Sequence, residues 1–137
     1  MIDCNELAQI AELKPPASPE ALAAIQQTLG RTFPAAYVAF LRCTDGMYVP
    51  TVISLYLYAT GELAERNATY EVPIYLPDWL LIGSDGGGRG ILLDCASEPG
   101  TVYIVGLGSL RRADAEVLAP DMAAWARDGF AIESEED

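Results

Sequence analysis

At 137 residues, 51% of them hydrophobic, the chain has the length of one domain with a real core. No apolar run in it approaches the roughly 20 residues of a membrane-spanning helix. Twenty acidic side chains against eight basic ones leave a net charge of −12, which repels nucleic acid and anionic membrane and attracts a basic protein.

The opening stretch, MIDCNELAQIAELKPP, carries acids where a secretory leader carries positive charge, and no continuous apolar segment follows. A soluble cytoplasmic protein is expected. Residues 3–13 place Leu7, Ile10, Ala11 and Leu13 near one face of a short helix. The prolines of KPPASP interrupt it. Ser18 then offers a cap, and Pro19 opens a second helix with Leu22, Ile25 and Leu29 in a stripe and Gly30 as its stop. Pro34 starts a third helix, with Tyr37, Phe40 and Leu41 pointing inward, Phe33 stapling the entry, and Asp45-Gly46 as the closing turn.

The period then changes. YVPTVISLYLY is β-branched and aromatic, with Val52, Leu55 and Leu57 among its strand formers, and Pro50 indicates an edge or a strand start. GELAERNATYEV is more polar and predicts one or two helical turns before an extended PIYLPD. WLLIG, RGILLDC and TVYIVGLG follow as apolar runs separated by SDGGG and ASEPG, which predicts two hairpins and an antiparallel meander. Beyond Pro120, DMAAWARDGF sets Met122, Trp125 and Ala126 on one helical face and stops at Gly129. The expected class is α+β: N-terminal helices, a central, mainly antiparallel sheet with hairpins, and a C-terminal helix packed on the sheet. No internal repeat or long linker divides 1–137, so a single domain is expected, ending in an acidic tail, 133–137.

The glycine-rich stretch IGSDGGGRGILLD poses a choice between a phosphate cradle and a turn. Gly83 and Gly88 have the separation of a GxxxxGK[ST] loop, but Arg89 stands at the lysine and Gly90 at the hydroxyl position. A strand, ILLD, follows where a phosphate loop needs a helix N-terminus. The dinucleotide fingerprint fails for the same reason, and Asp85 would repel a phosphate. Gly83, Gly86, Gly87, Gly88 and Gly90 are therefore read as turn and strand-packing chemistry, with Ser84 and Asp85 bonding nearby amides and Arg89 facing Asp85 or Asp94 as an ion-pair partner.

Histidine is absent. With it go Ser-His-Asp and Cys-His nucleophiles, histidine-ligated zinc and the usual general base near neutral pH. Cys4, Cys43 and Cys95 are widely spaced, form no CxxC pair and are expected as reduced, largely buried thiols. Neither a metal nor a cofactor is expected. Carboxylate pairs such as Asp78 and Asp85 supply acid–base groups in principle, but no spacing supports an enzyme.

Two segments together carry a resemblance. EALAAIQQTLGRTFPAAYVAFLRCTDG has a helix ending in Leu29-Gly30, then Pro34, Tyr37, Phe40-Leu41 and the Asp45-Gly46 turn; the second segment is IGSDGGG followed by an apolar strand ending in Asp94. In that order they resemble the SUKH superfamily, the fold shared by the yeast cell-wall-synthesis regulator and many bacterial immunity proteins. GTVYIV and DMAAWA fit too, although Met122 and Trp125 stand where many members carry Phe and Leu. The motif-bearing core spans about 18–128, and the region from Met47 to Trp79 matches least.

The resemblance implies a non-catalytic protein-binding module, most directly an immunity protein that neutralises a cognate bacterial toxin by complex formation. The charge of −12 independently suits a basic, nucleic-acid-targeting toxin, because acidic surface steers association and takes the place of the phosphate backbone. The alternative is a housekeeping regulatory scaffold that binds an endogenous protein. Candidate partner-binding carboxylates are Asp45, Glu62, Glu65, Glu71, Asp78 and Asp85, with Tyr56, Tyr58, Tyr70 and Tyr75 as aromatic anchors.

Overall fold

The computed structural model describes residues 2–49 and 55–132. Helix α1 (Cys4–Ile10) leads into β1 (Glu12–Leu13), α2 (Pro19–Leu29), α3 (Ala35–Leu41), β2 (Met47–Val49) and β3 (Leu55–Leu57). Helices α4 (Thr60–Thr69) and α5 (Val72–Tyr75) come next, then β4 (Trp79–Ser84), β5 (Arg89–Asp94) and β6 (Val102–Gly106). A 3-10 turn, Arg112–Asp114, precedes β7 (Glu116–Ala119) and α6 (Met122–Arg127). Among the described residues, seven strands form one sheet in chain order, each antiparallel to the next. The class is α+β, with the expected meander at β4, β5 and β6.

Helix boundaries follow their caps. Ser18 Oγ accepts from the Ala21 amide at 3.0 Å, Pro19 occupies the first turn, and Gly30 closes α2 at φ 67°. Asp121 caps α6 through the Ala124 amide at 2.7 Å. The inward faces of α3 and α6 meet in an aromatic column: Phe33 on Tyr37 at 5.2 Å, Tyr37 on Phe40 at 6.3 Å, Phe40 on Phe130 at 6.2 Å, and Phe130 on Trp125 at 5.0 Å. Met122 and Trp125 are fully buried there, and the indole N–H of Trp125 donates to the Ala131 carbonyl. The C-terminal helix thus seats on α3 and on β7 at the sheet margin. Each such side chain contributes about 1.5–3 kcal/mol by burial.

Four segments differ from expectation. Glu12 and Leu13 leave the first helix to pair with Tyr48 and Met47, because an edge was open beside β2. The aromatic segment expected as one run is two strands, β2 and β3, paired with each other in register Met47↔Leu57; Pro50 and Val52 lie outside the described residues, as does the acidic tail 133–137. The polar segment forms ten-residue α4, and Val72–Tyr75 makes a further helical turn where an extended PIYLPD was expected. Strand β7 was not anticipated, and only its final residue is buried.

Strand β4 outlasts its partner β3, and side chains take over where the strand ends. Tyr58 N–H still donates to the Ile82 carbonyl at 2.8 Å. At Leu81, beside a register shift in β4, the buried Asn67 amide of α4 bonds both backbone groups: Leu81 N–H donates to Oδ1 at 2.8 Å, and Nδ2 donates to the Leu81 carbonyl at 3.0 Å. Arg31 continues the series on the Trp79 and Pro77 carbonyls, at 3.3 and 2.8 Å. Buried backbone groups need such partners.

The cysteine expectation is also corrected. Cys4 and Cys43 form a disulfide across a 39-residue separation, with Cα atoms 5.3 Å apart, tying α1 to the end of α3. Cys95 is the free thiol; burial pushes it up to about 11, so it stays protonated near neutral pH and is a poor nucleophile.

Two outcomes are expected. Asn67→Ala, which orphans both Leu81 groups, lowers stability by about 2–4 kcal/mol, read by denaturant unfolding at unchanged far-UV circular dichroism. Cys4→Ser lowers stability by up to about 4 kcal/mol in oxidising buffer, the loop-closure value for this separation, and matches the wild type in reductant. Equal stability of the two proteins in both buffers would show that the clamp contributes nothing.

Candidate functional site

The glycine turn joins β4 directly to β5, with no helix behind it. Gly86 and Gly88 have φ of 78° and 98°, conformations that side-chain-bearing residues rarely adopt. A Cβ on Gly83 would come within 2.6 Å of the Tyr56 carbonyl, so β3 can approach β4 only at a glycine. Asp85 is 3% exposed and organises the turn from inside. Its Oδ1 accepts from the Gly87 and Arg89 amides at 2.8 and 3.0 Å, and its Oδ2 pairs with Arg89 Nε at 2.7 Å. Burial raises the Asp85 pKa, but the two amides and the guanidinium outweigh it and hold the carboxyl below its ordinary value. These bonds to the turn amides and to Arg89 match expectation; what does not is the exposure required of a partner-binding acid, because the same bonds draw Asp85 inward.

The other candidates divide into acids that build the fold and acids that face outward. Asp45 accepts from the Thr60 amide at 2.6 Å and the Thr60 hydroxyl at 3.0 Å, capping α4 from a distant turn. Glu62 Oε1 accepts from the Ala59 amide and from the Tyr56 hydroxyl, each at 2.8 Å. Tyr56 in turn accepts from Lys14 Nζ at 3.2 Å, which also lies 4.9 Å from the ring centroid. Both acids sit where the α4 N-terminus favours negative charge.

Glu65, Glu71 and Asp78 are exposed. Glu65 holds Arg66 at 2.6 Å and accepts from the Thr69 hydroxyl at 2.9 Å, and these bonds lower its pKa. Asp78 stands 3.6 Å from Arg112, whose guanidinium covers the Trp79 ring, itself stacked on Tyr103 at 4.1 Å. Asp78 and Asp85 therefore pair with different arginines, the exposed Arg112 and the half-buried Arg89. Among the tyrosines, Tyr58 is buried, Tyr56 and Tyr70 are half-buried, and Tyr75 is exposed.

Three of these residues meet at an open cleft of about 550 Å³, lined by Thr69, Tyr70, Glu71 and Tyr75 on one side and by 107–111 on the other. Glu65 reaches it through its bond to Thr69, and Asp78 lies beyond it through Arg112. The opposite wall, the β6–β7 connection, carried no signal beyond its glycines. Among the described residues no group of His, Cys, Asp or Glu has the arrangement of a metal site, and no helix is long and apolar enough to cross a membrane.

The family model described as SMI1 / KNR4 family (SUKH-1) matches residues 16–128, which include every helix and strand from α2 through α6. The chain belongs to that family, as its two motifs predicted. Comparison with curated proteins gave no match. Membership supports a protein-binding module of the immunity type at the level of the family.

Asp85 generates a pH-dependent prediction. A carboxyl with a depressed folded pKa contributes stability above its unfolded value of about 3.9 and loses it as pH falls through the folded value. Asp85→Asn is therefore expected to be less stable than wild type at pH 7 by about 1–3 kcal/mol. The gap closes below the ordinary carboxylate range, as read by urea unfolding across pH 2–7. A gap that stays constant with pH would locate the effect in shape instead of charge.

Proposed function

We propose that this SMI1/KNR4-family chain is a non-catalytic immunity protein, a single binding domain that neutralises a cognate toxin in the cytoplasm by direct complex formation. The toxin is basic and acts on nucleic acid; the chain itself binds neither nucleic acid nor membrane.

The observation that carries this reading is how the charges are spent. Arg66, Arg89, Arg111 and Arg112 are paired with acids of the same chain, and Arg31 is bonded to carbonyl oxygens. Glu6, Glu12, Glu20, Glu71, Glu116 and Asp128 are exposed and form no ion pair among the described residues. Lys14, Arg42 and Arg127 are also exposed and outside any ion pair among the described residues. Acids therefore outnumber bases among the unpaired surface charges, as a surface needs in order to steer a basic partner and stand in for phosphates. Disulfide formation is disfavoured in a reducing cytoplasm. Cys4 and Cys43 are dithiol there, and α1 is held by Leu7 burial and the β1–β2 pairing.

The test pairs the purified chain with the toxin domain encoded by the adjacent gene. Stoichiometric chain is expected to abolish toxin activity, and association is expected to slow at least ten-fold between 50 and 300 mM salt, since steering is screened over about 10 Å at 0.1 M. A toxin that stays fully active in excess chain, with an endogenous protein captured in its place, would replace immunity by a regulatory scaffold.

A further inference from the structure

The cleft at the end of α4 has properties that the fold does not require. Helix α4 finishes at Thr69, and the left-handed position after its cap, normally glycine or asparagine, is filled by Glu71 at φ 56°. That conformation is unfavourable for a residue with a side chain. The backbone there joins α4 to α5, its N–H donating to the Ala68 carbonyl at 3.1 Å and its carbonyl accepting from the Ile74 and Tyr75 amides at 3.0 and 3.3 Å, but none of these bonds uses the carboxylate. The Glu71 side chain is exposed and in no ion pair among the described residues. Immediately after it, α5 presents Ile74 and Tyr75 to solvent at 69% and 56% exposure, two of the largest apolar groups on the described surface. Across the cleft, Arg111 has its charge answered by Asp114 at 2.9 Å. The uncompensated charge of the lining is the Glu71 carboxylate, beside the Tyr70 and Tyr75 rings.

From this juxtaposition we infer that the cleft receives a basic side chain, arginine or lysine, from the surface of a protein partner. Glu71 pairs with the cation, the tyrosine rings flank it, and Ile74 covers the adjoining apolar surface of the partner. The chemistry is complementary at both scales, a single negative group in the cleft and a net charge of −12 over the chain. Aromatic rings and a carboxylate around a cation make a recognition unit, and exposed apolar groups beside a cleft mark such surfaces. The inference rests on the binding-module reading and deepens it by naming the face and the group recognised.

The strained position supplies a variant with opposite effects on folding and binding. Glu71→Gly relieves the backbone and is expected to leave the melting temperature equal or higher, while weakening the toxin complex more than ten-fold by calorimetry. Tyr75→Ala and Ile74→Asp are expected to weaken it by a similar factor, and Glu6→Gln, on α1, by less than three-fold. If wild type binds and the three cleft variants bind equally well, the cleft is not the contact face while the immunity reading stands. A second measurement needs no toxin: titration with an acetylated, amidated Arg-Tyr-Arg peptide at low salt, followed by amide chemical shifts. Shifts confined to 69–75 and 107–111 support the cleft even where the adjacent toxin does not bind. Shifts spread evenly over the acidic surface, or a wild-type dimer that Ile74→Asp dissociates, would overturn it.

Discussion

Strand β4 runs past the end of β3, and the molecule is arranged around that mismatch. β3 stops at Leu57 because the chain must turn into α4, which leaves the edge of β4 without a strand partner. Asn67 presents a carboxamide to Leu81, the same donor and acceptor pair that a neighbouring strand would offer. Arg31 extends the substitution to Trp79 and Pro77. Because each of these groups is costly to leave unbonded away from water, α2 and α4 are fixed to the middle of the sheet by polar bonds as well as by packing. Where each helix sits follows from which backbone groups it must satisfy.

The same economy governs the acids. Asp45, Glu62 and Asp85 face amides, two at the start of α4 and one inside the glycine turn. Asp85 is buried and Asp45 and Glu62 are half-buried. Carboxylates withdrawn from water are stable only with donors already in place, and backbone amides of nearby turns are among these donors. What remains unpaired on the described surface is mostly acidic, with Lys14, Arg42 and Arg127 the exposed bases outside any ion pair. The high net charge is therefore a property of the exterior in particular, and the fold tolerates it because the acids drawn toward the interior are individually satisfied.

Signals that act within a few residues were legible in the sequence. Ser18 with Pro19, Gly30, Asp45-Gly46 and the glycine turn marked their boundaries correctly because a cap or a positive φ is a local demand. The meander was legible because hairpins join neighbours in chain. Features decided by distant partners were not. Glu12 and Leu13 have helical periodicity but answer to an open edge beside Tyr48 and Met47. Asn67 reads as one polar residue among several until Leu81 is placed opposite it. For Asp85 the neighbours did state its bonds to the turn amides and to Arg89, but not that the turn would bury it. Cys4 and Cys43 gave no spacing motif, and only the closeness of α1 and α3 brings them together. The sequence named six carboxylates alike, without separating the exposed Glu65, Glu71 and Asp78 from Asp45, Glu62 and Asp85. It could not show the cleft that gathers Glu71 with Thr69 and Tyr75, since the opposite wall comes from 107–111.

Helix α4 links the frame to the cleft. The residue that fixes it to β4, Asn67, lies two positions before Thr69 and four before Glu71, so the cleft's near wall starts within about one helical turn of a buried bidentate anchor. The far wall follows β6, which is paired on both sides, and runs into the turn where Arg112 lies over Trp79. Both walls are held by contacts formed on folding, not on association. A partner meeting such a site orders little of it on binding, and the affinity then reflects contacts made instead of loops immobilised. Because the frame is set by backbone satisfaction at Leu81, the side chains that line the cleft can be changed without disturbing the bonds that hold it.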